Sequence, residues 1–329
     1  MNGQMIRRTL SVFRLLLALV GLVAVVLGVM LSVPVVPPPL LASIEKTAGS
    51  ADRSGMPDLQ RFQARDGTWI AYRTYSASRE RVALLVHGSS ASSASMHNVA
   101  KALSASGISS LALDVRGHGQ SGSRGEIGYI GQLEDDLADF LDHVAKEYPQ
   151  ARLMLVGHSS GGGFALRVAA GPLGARFERF ILLAPYLGPF APTTRPDSGG
   201  WANASVPRLV ALGAMHWVGL KIGGDLPVLA FAVGPNGRKN LTSQYSFNLF
   251  ANYRTADYAA DFANAARPVS LLAGANDELM WPEKFADVAA SRGQKLPVTL
   301  VPGSNHMGIT IDAPALDALR KVVTEPAAP

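Results

Sequence analysis

The sequence predicts an α/β domain built on a mostly parallel sheet with helices on both faces, carrying an inserted segment and preceded by one apolar helix. Three observations carry this expectation. Short β-rich runs alternate with helix-period stretches along most of the 329 residues, the order that builds a parallel sheet. Several of those runs are apolar throughout and stop at a glycine, as strands buried on both faces do. Residues 15–33 hold no charge, and about 20 apolar residues are enough to cross a bilayer core as a helix.

In chain order, a short basic segment covers residues 1–14, with Arg7, Arg8 and Arg14 ahead of or inside the apolar run. Basic residues on that side alone keep the amino end cytoplasmic. The expected topology is therefore a single-pass membrane protein with its main domain on the extracytoplasmic side. The rival reading is a cleaved secretory signal, which would leave a secreted or periplasmic protein; signal h-regions usually run about 7–15 residues and end in a small-residue cleavage site. Residues 34–56, prolines first and then small polar residues, read as a linker.

The main domain is expected over 57–329. Residues 59–65 and 68–75 alternate around Asp66-Gly67, an opening hairpin. Apolar runs at 82–88, 110–115, 152–157, 179–185, 268–274 and 297–303 read as strands. Helical spacing covers 96–106, 131–148, 162–171, 283–293 and 315–323. Over 131–148, Leu133, Leu137, Phe140, Leu141 and Val144 fall on one stripe, and Pro149 ends the helix. The rhythm breaks between about 186 and 266, which reads as a cap inserted over one edge of the sheet, with helix-like pieces near 206–220 and 256–266.

Composition narrows the function classes. Charged residues make up 17% and hydrophobic ones 48% of the chain, which marks a folded protein. Without its three leading arginines the formal charge of +5 falls to near balance, so no nucleic-acid surface is expected. There is no cysteine, which excludes disulfides, thiolate metal sites and a cysteine nucleophile. No histidine pair has metal-ligand spacing, and no metal or cofactor is expected.

The run Gly157-His158-Ser159-Ser160-Gly161 fits G-x-S-x-G between a strand and a helical stretch. That context describes a turn so sharp that the central serine stands exposed above the sheet, with glycines where strand and helix crowd together. Ser159 lies two residues from a glycine on each side, whereas Ser160 has His158 before it. The following Gly162 and Gly163 most simply let the helix start close to the sheet. A serine hydroxyl needs a base to take its proton and an acid to orient that base.

On these residues the chain resembles the α/β-hydrolase fold family, and within it the monoglyceride-lipase and lysophospholipase-like (serine aminopeptidase S33-type) branch, over roughly 59–323. The resemblance implies a nucleophile, acid, histidine order. It makes Ser159 the nucleophile, Asp277 beyond the strand at 268–274 the acid, and His306 beyond the last strand the general base. Glu278, next to Asp277, is the alternative acid. The oxyanion donors are then the backbone N–H groups of Ser160 and, by the H-G-x pattern at 87–89, of Ser89. Relatives often carry an apolar or aromatic residue at the latter position. Asp114 and Arg116, in the run 114–121, read as pins of a glycine-rich turn; His118 and His158 read as positioning residues, and His97, His143 and His216 as surface or core.

The implied function is a cofactor-independent serine hydrolase that cleaves a carboxylic ester through an acyl-enzyme on Ser159. The expected partner is a small acyl ester, of acylglycerol or lysophospholipid type for a domain tethered by its amino-terminal helix at a membrane. Trp201, Trp217, Phe231, Phe247 and Phe250 either shape a cap over the acyl group or pack the cap itself. The same three residues also serve peptidase, thioesterase and acyltransferase chemistry, and a non-catalytic binding protein is the alternative from another class.

Overall fold

The structure, a computed structural model, describes residues 3–235, 237, 240–290 and 296–325. It opens with helix α1 (Gly3–Ser32), whose stretch Arg7–Ser32 is long and apolar enough to cross a membrane, with a mean hydropathy of 2.9. The carboxyl end of α1 docks on the domain. Arg208 Nε donates to the Leu31 carbonyl at 2.9 Å and Ser205 Oγ to the Val33 carbonyl at 2.9 Å. Within the stretch read as a linker, residues Ala42–Gly49 form helix α2, with Ile44 buried against the domain. Eight residues are too few to show a helical period, and the apolar partner of Ile44 lies far along the chain.

The hairpin comprises β1 (Gln60–Gln63) and β2 (Trp69–Tyr75). After it come β3 (Arg81–Val86), α3 (His97–Ala105), β4 (Ser109–Leu113), α4 (Gln132–Glu147), β5 (Arg152–His158), α5 (Ser160–Ala170) and β6 (Arg179–Leu183). Residues 186–266 then carry β7 (Ala202–Ala204), α6 (Val206–Trp217), β8 (Pro227–Phe231), β9 (Gln244–Ser246), α7 (Phe247–Asn252) and α8 (Tyr258–Asn264). The chain resumes with β10 (Val269–Gly274), α9 (Phe285–Ala290), β11 (Val298–Val301) and α10 (Ala313–Thr324). The carboxyl end of the helix expected over 283–293 falls partly outside the described residues.

Eight strands form one sheet in the order β1-β2-β4-β3-β5-β6-β10-β11. β2 runs antiparallel to β1 and β4, and every other pairing is parallel. Alternate side chains of each strand enter opposite cores. Leu84, Val86 and Leu155 pack with Phe140 of α4 and Phe164 of α5. Ala83, Leu85, Met154 and Val156 pack with Leu103 of α3 and Leu319 of α10. This two-sided burial is why the strands read as unbroken apolar runs. In the inserted segment β7, β8 and β9 form a second, antiparallel sheet that the sequence does not announce, since its strands hold only three to five residues.

At the β5–α5 junction strand and helix approach so closely that side chains are excluded. A methyl group on Gly157 would overlap the Gly161 carbonyl, one on Gly161 the His87 carbonyl, and one on Gly163 the Tyr186 carbonyl. Gly213 of α6 has no neighbour within 4 Å of such a methyl. Opposite effects are therefore expected. Gly161→Ala should lower stability by about 1–3 kcal/mol through overpacking. Gly213→Ala should raise it by up to about 1 kcal/mol, because alanine is the better helix former. Urea unfolding midpoints of the two variants check the signs.

Candidate active site

Ser159 sits at the head of β5 with φ 52 and ψ −119, a left-handed conformation rare for a residue with a side chain. Its backbone is fully engaged. The Ser159 N–H donates to the Leu183 carbonyl at 2.9 Å, and its own carbonyl accepts from Gly162, Gly163 and Tyr186. Held this way, the side chain points above the carboxyl edge of the sheet, where the loops after β10 and β11 bring Asp277 and His306. His306 Nε2 lies 3.0 Å from Ser159 Oγ, and His306 Nδ1 lies 2.8 Å from Asp277 Oδ2. Asp277 Oδ1 accepts the Leu279 and Met280 N–H groups, each at 2.8 Å. Glu278 does not reach the imidazole; its Oε2 accepts the backbone N–H of His306 at 2.9 Å. All three partners are buried.

Burial alone would disfavour charge on both members of the pair. It pushes the His306 imidazole down and the Asp277 carboxyl up, but their mutual attraction and hydrogen bond outweigh it. The net direction is upward for His306 and downward for Asp277, so an imidazolium formed at His306 has its counter-charge already in place. The neighbouring histidines lack a carboxylate partner. His158, buried and facing His306, is pushed down to about 3 and donates Nε2–H to the His306 carbonyl at 3.0 Å. Burial also pushes His87 and His118 down. Their contacts fit neutral rings: His87 Nε2 accepts the Val115 N–H, and His118 Nε2 accepts the Tyr245 hydroxyl at 2.6 Å.

The loop after β3 runs directly past Ser159; a methyl on Gly88 would lie 3.1 Å from the Ser159 Cβ. Ser89 and Ser160 both line a small cavity beside Ser159. Residues of the inserted segment hold this loop; sequence reasoning missed Tyr245 and Tyr253, and it singled out Trp201 only as a cap aromatic. Tyr245 Oη accepts the Ser90 N–H at 2.9 Å, the Tyr253 hydroxyl donates to the His87 carbonyl, and Trp201 Nε1 donates to Ser89 Oγ at 2.9 Å. Arg195 similarly steadies the acid loop, donating to the carbonyls of Asp277 and Met280 while stacking 3.7 Å from the centre of the Trp281 ring. No local pattern marks these residues, because each contact joins positions tens of residues apart.

Two cavities meet at Ser159, sharing Ser89, Trp201 and Leu279 as walls. The smaller, of about 50 Å³, is lined by Leu229, Phe231 and Phe250 of the inserted segment. The larger, of about 170 Å³, is walled by Ile44, Ala48 and Arg53, by Met307 and Ile311, and by serines of the loop after β3. Among the five aromatics singled out in the sequence, Trp201, Phe231 and Phe250 thus line cavity walls. Phe247 instead packs beside Leu212 and Val228, and Trp217, 88% exposed, lines neither of these two cavities. Asp114 and Arg116 pin the turn: Asp114 accepts the Ser93 and Gln120 N–H groups, while Arg116 pairs with Asp136 at 2.6 Å and Asp66 at 2.9 Å. Among the described residues no set of three histidines or carboxylates converges as a metal site.

The family model described as "Serine aminopeptidase, S33" matches residues 77–232, from the strand before the Ser89 loop through the Ser159 turn and into the inserted segment. The soluble variant of the Saccharomyces cerevisiae monoglyceride lipase superposes with a TM-score of 0.60 at 20% identity, over 82% of this chain and 96% of that one. The chain has the α/β-hydrolase fold. A bacterial membrane phospholipase A shares this fold over 97% of the chain and 98% of its own, with a TM-score of 0.56 and 17% identity. In sequence, this α/β-hydrolase-fold chain is 30% identical to a monoacylglycerol lipase of Mycolicibacterium smegmatis over 112 residues, 33% of this chain and 40% of the relative. The chain spans less than half the length of the curated relatives it matches.

The upward direction at His306 comes chiefly from Asp277, with a smaller push from Glu278. In the intact protein the His306 imidazole should titrate above 6.5. In Asp277→Asn the burial remains and the larger attraction is gone, so the midpoint should fall below 6.5. An NMR titration of the His306 ring resonances checks this; a midpoint still above 6.5 in the variant would assign the shift to another group.

Proposed function

We propose that the chain is a serine hydrolase cleaving carboxylic esters of acylglycerol or lysophospholipid type. The observation that carries this reading is the continuous hydrogen-bond chain from Asp277 through His306 to Ser159, on a serine whose backbone is held in a left-handed turn. In the proposed reaction Ser159 Oγ attacks the acyl carbonyl and passes its proton to His306 Nε2. The Ser89 and Ser160 N–H groups stabilise the developing oxyanion, each donor being worth on the order of 3 kcal/mol. His306 returns the proton to the departing alkoxide, leaving an ester on Ser159. Water, deprotonated by the same imidazole, then releases the acid and restores the serine. Asp277 stays ionised and keeps Nδ1–H directed at itself, so that Nε2 faces Ser159.

The lipid character of the substrate is supported by the apolar walls on either side of Ser159 and by the similarity to monoacylglycerol lipases. α1 is proposed as a membrane anchor, oriented by Arg7, Arg8 and Arg14 so that the domain faces the extracytoplasmic side. The segment that joins it to the domain contributes Ile44, Ala48 and Arg53 to the larger cavity, which sets the site beside the point where the chain would leave the bilayer.

The protein should hydrolyse p-nitrophenyl butyrate and react with a fluorophosphonate probe. Ser159→Ala should do neither, and Asp277→Asn should lose on the order of 10⁴-fold in kcat. Because His306 must be neutral to act and its pKa is raised, kcat/KM should climb with pH through a midpoint above 6.5. A wild-type protein inert to both ester and probe would defeat the reading. An aminoacyl p-nitroanilide in the same panel separates esterase from peptidase action.

A further inference from the structure

The loop after β10 carries two adjacent carboxylates, and the reaction proposed above uses one of them. Asp277 holds the ring of His306. Glu278 turns instead to the main chain of the same residue, its Oε2 accepting the His306 N–H at 2.9 Å. Its other oxygen, Oε1, is buried and has no hydrogen-bond partner among the described residues. Glu278 also takes part in no ion pair among those residues. Arg195 serves the same loop, but it gives its N–H groups to the carbonyls of Asp277 and Met280. Folding alone gives little reason for such a group, because a buried carboxylate oxygen without a donor costs stability. The positive charge it can serve is the one that forms at His306. There its effect has the same direction as that of Asp277. The other titratable groups about the ring are His158 of β5, centred 5.0 Å away and pushed down to about 3, and Arg53, which lines the larger cavity together with His306.

We propose that Glu278 is a positioning residue for His306: its carboxylate fixes the histidine backbone and adds a second negative charge beside the imidazolium that forms during catalysis. The inference rests on the esterase reading above and deepens it. The backbone hold matters because two contacts of the ring depend on where the His306 main chain sits. Nε2 must reach Ser159 Oγ while Nδ1 stays on Asp277, and a small misplacement of reacting groups is costly in rate. Adjacent residues of one short loop thus grip the ring and the backbone of the same histidine. The charge matters because like-signed carboxylates act together on an imidazolium. No proton passes through Glu278, and Ser159, His306 and Asp277 keep their roles.

The test uses two variants of the full chain. Glu278→Gln keeps an oxygen able to accept the His306 N–H and removes the charge, whereas Glu278→Ala removes both. With p-nitrophenyl butyrate, the pH midpoint of kcat/KM in Glu278→Gln should move below that of the wild type, so the variant keeps a larger fraction of its plateau activity in acid. Glu278→Ala should show the same shift and also lose about tenfold in plateau kcat, with KM little changed, as loss of a hydrogen bond to a charged group does. A residue with a merely structural role would lower the urea unfolding midpoint and leave the pH profile where it was. A wild-type pH midpoint in both variants therefore overturns the proposal. Should Glu278→Ala fail to fold, Glu278→Gln carries the test alone. An NMR titration of the His306 ring separates this inference from the esterase reading, since it needs no turnover. A ring midpoint lower in Glu278→Gln than in the wild type supports the role of the charge even if no ester is cleaved, and an unchanged one refutes it.

Discussion

Everything at the candidate site depends on the backbone of one residue being held where it would not rest alone. A left-handed serine costs of order 1–3 kcal/mol and persists only when its surroundings over-determine it. Here four hydrogen bonds do so, one from the Ser159 N–H and three to its carbonyl, drawn from β6, the start of α5 and the segment that follows β6. The glycines around it are part of the same constraint. They let α5 begin within contact of β3 and β6, which brings Tyr186 and the loop after β3 close enough to serve as partners. Relaxing Ser159 would swing its hydroxyl away from His306 and loosen the junction between three strands and a helix.

The environment then gives chemically identical rings different characters. Four buried histidines, His87, His118, His158 and His306, cluster in this part of the molecule. Three of them are driven toward the neutral form by burial, with contacts to carbonyls, an amide N–H and a tyrosine hydroxyl. Only His306 among them has a carboxylate on its ring, and only it is pushed upward. The neutral rings serve as rigid hydrogen-bonding spacers. His118 and Tyr245 form a chain to the Ser90 N–H, so the loop flanking Ser159 is set by groups that do not change charge near neutral pH.

Much of this arrangement is legible in the sequence because it is written in local patterns. The sheet shows itself as apolar runs, since burial on both faces removes any need for polar alternation, and α4 shows itself as a stripe. Ser159 can be nominated from its glycine-framed turn, and Asp277 and His306, each beyond a strand, from the chain order that the family resemblance implies; Ser159 and Asp277 lie within hydrogen-bond distance of the His306 ring. The rest is not local. β7 to β9 are too short to carry a period and are formed by pairing across the insertion. Trp201, Tyr245, Tyr253 and Arg195 act over 80 to 170 positions of separation, and nothing beside them in the chain signals it. Trp217 shows the converse limit, for an aromatic residue in the right segment turns out to be exposed and to line neither cavity. The glycines at 162 and 163 become explicable only once Pro185 and Tyr186 are seen to press against them.

Helix α2 has a consequence for how this molecule could change over time. The stretch between α1 and the first strand supplies a wall of the larger cavity, so its residues answer to two demands at once. Ordinary tethers drift freely in length and composition, because only their reach matters. Here an insertion of a single residue would rotate Ile44 and Ala48 out of the wall and displace Arg53 from it. Attachment and selectivity are therefore inherited together, and a domain moved onto a different leader would bring an altered pocket with it.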